Sequence, residues 1–313
     1  MPVRNFLNKN LAVVSDVSEN YRNLLNIWIK LKLEKLNIPI TIATDLKLSN
    51  LLIGIMAHGS SHPCTWCNVS RDQMLQGQCG SLRTLGNLRQ AFWEWNTESG
   101  NKSEANSYGN VIHPPICRGP DDKLVLDLLP PPELHLLIGP VTTMLDALQK
   151  IWPDAEKWAA HCHVRRRAFH GGILNGNACM QLLRNIDKLE DVLNCSERNF
   201  ISAFHSFKAV VDACYGTTLA ADFSDALSKF ASDFIDIIQF GARITPKVHA
   251  VMYHIRQFCE KHNTGLGIWS EQSTESLHSD FEKTWIRYKV SNLNPNYDSQ
   301  LLKAVCDYNS KHI

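Results

Sequence analysis

The sequence lacks any long apolar run: the longest, Leu51 to Ala57, falls far short of the roughly 20 residues a membrane helix needs, so no membrane partner is expected. It also lacks an excess of either charge. Thirty-two Lys and Arg stand against 31 Asp and Glu, a net charge of +1 over 313 residues. That balance excludes a chain acting mainly as a polycation or an acidic tail, but it leaves room for a local basic surface. Glycine and proline are scarce, 16 and 13, which excludes a collagen-like chain and leans towards helix. No segment is compositionally biased, and 44% hydrophobic residues argue against disorder. Met1 to Asn10 has no apolar core, so no secretory leader is expected. Ten cysteines without a secretory context fit a reducing compartment, with thiols buried or holding metal.

The length fits one large domain or two ordinary ones. The first 60 residues read as a β-α-β unit. Leu11 to Val14 is a short strand, and Val17 to Asn37 an amphipathic helix with Leu24, Ile27, Trp28 and Leu31 at helical spacing and Ser18 as its cap. Ile38 to Thr44 is a β-rich run ending at Asp45, and a helix follows over Leu46 to Met56. An acid at the carboxyl end of a strand is where open α/β sheets usually place their chemistry. Residues 58–134 read as loops and short helices, including Leu85 to Trp95. After Pro130-Pro131-Pro132 the chain is predicted helical: Glu133 to Trp152, Asp154 to Ala168, Asn177 to Leu193, Glu197 to Tyr215 and Leu219 to Ile238. Thr245-Pro246 is a strong helix start, for a helix reaching Lys261. Gly265-Leu266-Gly267 breaks it; one helix follows Trp269 and another starts at Tyr297.

Four groups of residues can carry chemistry. Cys64-x-x-Cys67 has the gap that lets two thiolates face one ion, or it is two buried thiols. There is no second such pair, so other ligands must come from far away, and His249 and His254 are the candidates. Their spacing is awkward. Residues five apart on an ideal helix lie about 140° apart, so they share a metal only if the helix is irregular there or if His249 sits close enough to the helix start to swing in; otherwise they are ordinary partly buried histidines. Asp45 and Glu275 form the third group. Leu277, Phe281, Trp285 and Tyr288 make one apolar stripe, and Glu275 falls on another face, free to hold Mg²⁺ or to be a solvated carboxylate. Arg165-Arg166-Arg167 is a solvated face or a phosphate-binding patch.

Taken together and in order, these segments resemble the catalytic core of the V(D)J recombinase catalytic subunit and its relatives, the Transib-type transposases. The resemblance runs from about Ile38 to His312. Asp45 looks like that family's second catalytic aspartate. His62 to Arg71 looks like its zinc-binding cysteine pair with the following arginine, and Leu174-Asn175-Gly176-Asn177 like a helix opening within its insertion. His249 to His254 keeps the family's histidine spacing, and Gly265 to Ser276 resembles the stretch carrying the catalytic glutamate, at Glu275.

The resemblance implies a mostly α chain with a small α/β part: an incomplete ribonuclease-H-like sheet interrupted by a large helical zinc-binding insertion. Residues 1–57 would be the partial core, with third strand, helix and fourth strand; 58–262 the insertion; and 263–313 the C-terminal catalytic helices. It implies structural Zn²⁺ on Cys64, Cys67, His249 and His254, and therefore a local irregularity near His249. It implies catalytic Mg²⁺ or Mn²⁺ on Asp45 and Glu275, and double-stranded DNA, at transposon or signal ends, as substrate for hydrolysis and strand transfer. Trp269 could then stack on an unpaired base, with Arg71, Arg165, Arg166 and Arg167 as DNA contacts. A homodimer, an accessory protein subunit and a nuclear location are implied by resemblance alone.

One departure matters. The family's first catalytic aspartate has no match; Asp16 ends a strand, but the order of elements argues against it, and the first two strands are expected upstream of Met1. The expectation is a truncated or domesticated, transposon-derived copy that does not cleave DNA efficiently alone. The alternative is a non-catalytic helical zinc protein that binds DNA or a protein partner.

Overall fold

Asn20 opens the first helix: its side-chain oxygen accepts the Asn23 amide at 3.0 Å, and Lys32, at φ 52°, ends it. In the computed structural model the described residues are 19–32, 35, 40–166, 174–190, 198–270, 272–291 and 293–311. They fall into two compact units, Asn20–Ser270 and Met1–Glu19 with Glu271–Ile313.

The first unit is helical: α1 (Tyr21–Leu31), α2 (Leu46–Ile53), α3 (Arg71–Leu75), α4 (Leu85–Glu98), α5 (Val125–Leu128), α6 (Glu133–Ile151), α7 (Ala155–His161), α8 (Gly176–Leu183), α9 (Asp187–Glu190), α10 (Arg198–Cys214), α11 (Phe223–Asp236), α12 (Pro246–His249) and α13 (Ile255–His262). Its centre is α6, whose Leu137, Val141, Met144, Leu145 and Leu148 are buried and which packs against α8, α10 and α12. Phe200, Phe204, Phe207 and Val211 line one face of α10 at helical spacing. They meet Leu227, Phe230 and Phe234 of α11, with the Phe207 and Phe230 rings 5.0 Å apart. Each such phenylalanine contributes about 2–3 kcal/mol by leaving water.

In the other unit α14 (Gln272–Trp285) packs on α15 (Tyr297–Ser310). Phe281, Ala304 and Tyr308 are its buried core, joined by Leu277, Trp285 and Tyr288. This is the apolar stripe expected from the sequence.

The strand expected over Ile38 to Thr44 is corrected. Residues 40–44 form no strand, and the Ile42 amide donates instead to the Leu128 carbonyl at 2.8 Å. An extended segment with no neighbouring strand has no ladder to join, so its amides find loop carbonyls. The described residues hold no sheet, only isolated antiparallel bridges at Ile55–Val111, Cys67–Leu82 and Thr84–Leu124. The predicted strand at Leu11 to Val14, Ser18 and Asp16 lie outside the described residues. Other helices are shorter than their periodicity suggests. The helix expected to reach Ala168 stops at His161, where His163 turns to φ 57°. The one expected over Asn177 to Leu193 breaks between α8 and α9.

Two turns position the site. Asp45 caps α2, its Oδ1 accepting the Leu48 amide at 2.7 Å. Gly54 ends α2 at φ 78°, and a Cβ there would lie 2.0 Å from the His113 carbonyl oxygen, so only glycine fits.

Candidate metal centre

Cys64 and Cys67 sit in a loop held from several sides. The Asn68 amide donates to the Ser81 carbonyl at 2.9 Å and the Arg83 amide to that of Trp66 at 2.8 Å. Trp66 is buried and its indole N–H donates to the Leu129 carbonyl at 2.7 Å. Within the loop, the Trp66 amide donates to Cys64 Sγ at 3.3 Å, a bond that favours a thiolate. Arg83 ties the loop together from beneath: its Nε donates to the carbonyls of Cys64 at 3.3 Å and Cys67 at 3.1 Å. Its Nη2 donates to the Gly109 carbonyl at 3.2 Å. Arg83 is 5% exposed. Burial lowers its pKa, and the negative charge of Cys64 and Cys67 opposes that shift.

The other two ligands come from a helical segment far along the chain. Thr245 caps the helix, its hydroxyl accepting the Val248 amide at 3.3 Å, and Pro246 takes the first turn. After His249 the helix widens into a π turn over Ala250–His254 before α13 resumes. A π turn carries an extra residue, so the fifth residue on comes round roughly to where the fourth would lie in an α-helix. The irregularity expected from the spacing is present, and it brings both rings to one side: their centroids are 5.0 Å apart.

His254 Nε2 lies 3.2 Å from Cys64 Sγ and His249 Nε2 lies 3.3 Å from Cys67 Sγ. All four donor atoms lie within 4.8 Å of one another. Zinc–sulfur and zinc–nitrogen bonds of about 2.3 and 2.0 Å at tetrahedral angles imply S···N separations of roughly 3.5 Å, a few tenths of an ångström from those found. Cys64, Cys67, His249 and His254 are at most 1% exposed, as a closed structural site requires. His254 Nδ1 faces Gln257 Oε1 at 2.8 Å; if it donates there, that tautomer leaves Nε2 free for a metal.

The electrostatics of the two thiols differ. The Cys67 thiol is pulled far below its ordinary value by hydrogen bonds from Cys64, then Cys79, His249 and His254, whereas burial pushes Cys64 up. Burial holds His249 below the usual imidazole value, keeping it neutral as a ligand must be. The four residues fit a metal ion such as zinc.

The remaining predicted residues lie elsewhere. Asp45 is half-buried and spends one oxygen on its cap. Glu275 is on α14, in the other unit, and its side chain is outside the described residues. Among the described residues only the Cys–His group gathers three or more potential ligands. Trp269 packs edge-on against Phe258 at 5.1 Å and near His262 at 5.7 Å. The exposed Arg71 donates to the Gly59 carbonyl and, at 2.9 Å, to that of Ser60. Arg166 pairs with Asp146 at 2.7 Å and Glu156 at 2.8 Å, Arg165 is exposed, and Arg167 is outside the described residues. Sequence reasoning missed Arg83 and Gln257. Gln257 sits three residues after His254, a spacing that could have signalled it; Arg83 had no local signal.

Comparison with known protein families and with curated proteins finds no match to this chain.

Proposed function

We propose that this chain is a zinc-stapled core of the transposase and recombinase type, which engages DNA ends but does not cleave them on its own. The observation supporting this reading is the Cys64–Cys67–His249–His254 group. Two distant segments are joined by an unusual five-residue histidine spacing, and a π turn accommodates it. The bound zinc would supply structure, holding the Cys64 loop against the helix that begins at Pro246. Asp45 and Glu275 would be two of the three carboxylates of a Mg²⁺- or Mn²⁺-dependent phosphodiester site, which could activate a water and steady the leaving oxygen. With no match for the family's first catalytic aspartate in this sequence, efficient cleavage is not expected.

A nicking assay on supercoiled plasmid and on end-containing duplexes, with Mg²⁺ or Mn²⁺, tests this. Duplex binding without cleavage is the expected outcome. Robust cleavage abolished by Asp45→Ala or Glu275→Gln would refute the non-cleaving claim, and absence of any DNA binding would refute the DNA-end reading.

A second reading, a non-catalytic zinc protein, is favoured by the surroundings of Asp45. Its Oδ1 caps a helix, and its carboxylate acts through space on the cation Lys247. Under that reading Asp45→Asn leaves DNA or partner binding unchanged.

A further inference from the structure

A cavity of about 280 Å³ opens beside α2, α6 and the start of α12, near the small end of the roughly 300–1,000 Å³ typical of ligand pockets. Leu46, Ile138 and Pro246 give it apolar walls, and Lys247 lines it as its one cationic side chain that is always charged when solvated. Among the described residues Lys247 forms no ion pair. Its aliphatic stem lies in a notch made by Gly139: a Cβ there would sit 2.4 Å from Lys247 Cδ. Asp45 acts on Lys247 only through space, as does Cys179.

The polar atoms of the wall are mostly taken. The Thr143 hydroxyl donates to the Gly139 carbonyl at 2.9 Å, and that of Thr245 accepts the Val248 amide. His58 has both ring nitrogens against carbonyl oxygens, Pro63 at 2.7 Å and Leu46 at 3.0 Å. The Thr142 hydroxyl is different: it is buried without a partner. That oxygen is shielded from the cavity, so the cavity offers one cation on apolar walls.

We propose that this cavity binds a small apolar monocarboxylate, its carboxylate held by Lys247 and its body against Leu46, Ile138 and Pro246. A single cation on apolar walls suits a monoanion with a hydrocarbon body better than a phosphate, which is more heavily charged and has no apolar part. This inference is independent of any activity on DNA.

The test is titration calorimetry on the full chain with benzoate and hexanoate as probes, benzamide as the neutral counterpart of benzoate, and inorganic phosphate. Benzoate should bind at least about tenfold more tightly than benzamide, since the charge-assisted bond is lost in the amide. Lys247→Met should weaken benzoate by a similar factor with zinc content and helicity unchanged. Gly139→Ala, which crowds the lysine stem, should weaken it too, and it serves if Lys247→Met does not fold. No heat with either acid, equal affinity for benzamide, displacement of benzoate by equimolar phosphate, or unchanged binding in the folded variants would each overturn the proposal.

Discussion

Removing the metal is the perturbation whose size can be worked out. The four ligands join residues 64 and 67 to residues 249 and 254, so the ion closes a long loop. The surrounding helices keep their own apolar core: α6, α10 and α11 bury many side chains without it. Metal loss should therefore destabilise the fold without abolishing it. For a ligand bound only by the folded state, stabilisation is about 2.7 kcal/mol at 100 times the dissociation constant and about 4.1 kcal/mol at 1,000 times. A domain of this size shifts by roughly 2–4 °C per kcal/mol. Stripping the ion with a chelator should then lower the melting temperature by roughly 5–16 °C, and adding back zinc should restore it. Differential scanning calorimetry with EDTA, then zinc, reads this directly. Cys67→Ser should reproduce the loss and remove the response to zinc, whereas Cys117→Ser, buried but outside the group, should keep the response. An unchanged melting temperature with and without chelator would refute the stapling argument.

Arg83→Lys should lower the melting temperature by about 1–3 kcal/mol equivalent and speed zinc loss to a chromogenic chelator, because a lysine cannot bridge the Cys64 and Cys67 carbonyls as the guanidinium does; unchanged kinetics would remove Arg83 from the support of the site. Gly54→Ala should destabilise by about 2–4 kcal/mol in urea titrations, since it adds a Cβ against the His113 carbonyl at positive φ, and a near-neutral result would contradict the turn described. Asp45→Ala should cost about 1 kcal/mol through lost capping, while Asp45→Asn should cost little; equal effects would mean that the cap is not what Asp45 supplies to the fold. Acidification should also destabilise. Burial holds His249 below its ordinary 6.5, so the unfolded chain binds more protons across that window and stability rises with pH. It is then lost as pH falls from about 6.5 through the depressed folded value, with zinc release in the same direction; a melting temperature that climbs on acidification would reverse the sign of the argument.

Much of the helical order was legible because periodicity and caps are local signals: Thr245-Pro246 opens a helix as read, and the Leu277–Phe281–Trp285–Tyr288 stripe packs on α15. The strand was misread over residues 40–44 because Ile40 and Ile42 have β-type side chains, while a strand needs a neighbour to pair with. Composition cannot supply one, and Ile42 found Leu128 instead. Helix ends were overestimated where a residue turns to positive φ, as at His163. The ligand quartet was legible only as two halves, 182 residues apart from Cys67 to His249. The histidine spacing, read with the resemblance, called for a local irregularity near His249 but did not give its form, a π turn. Arg83 and the Lys247 cavity were invisible, since both depend on contacts between segments far apart in the chain.

The central claim is that Cys64, Cys67, His249 and His254 hold one zinc. X-ray absorption at the zinc edge of the purified protein tests it most directly. The account predicts one zinc per chain with two sulfur neighbours at about 2.3 Å and two imidazole nitrogens at about 2.0 Å. No stoichiometric zinc, or a shell lacking the two sulfurs, would contradict it.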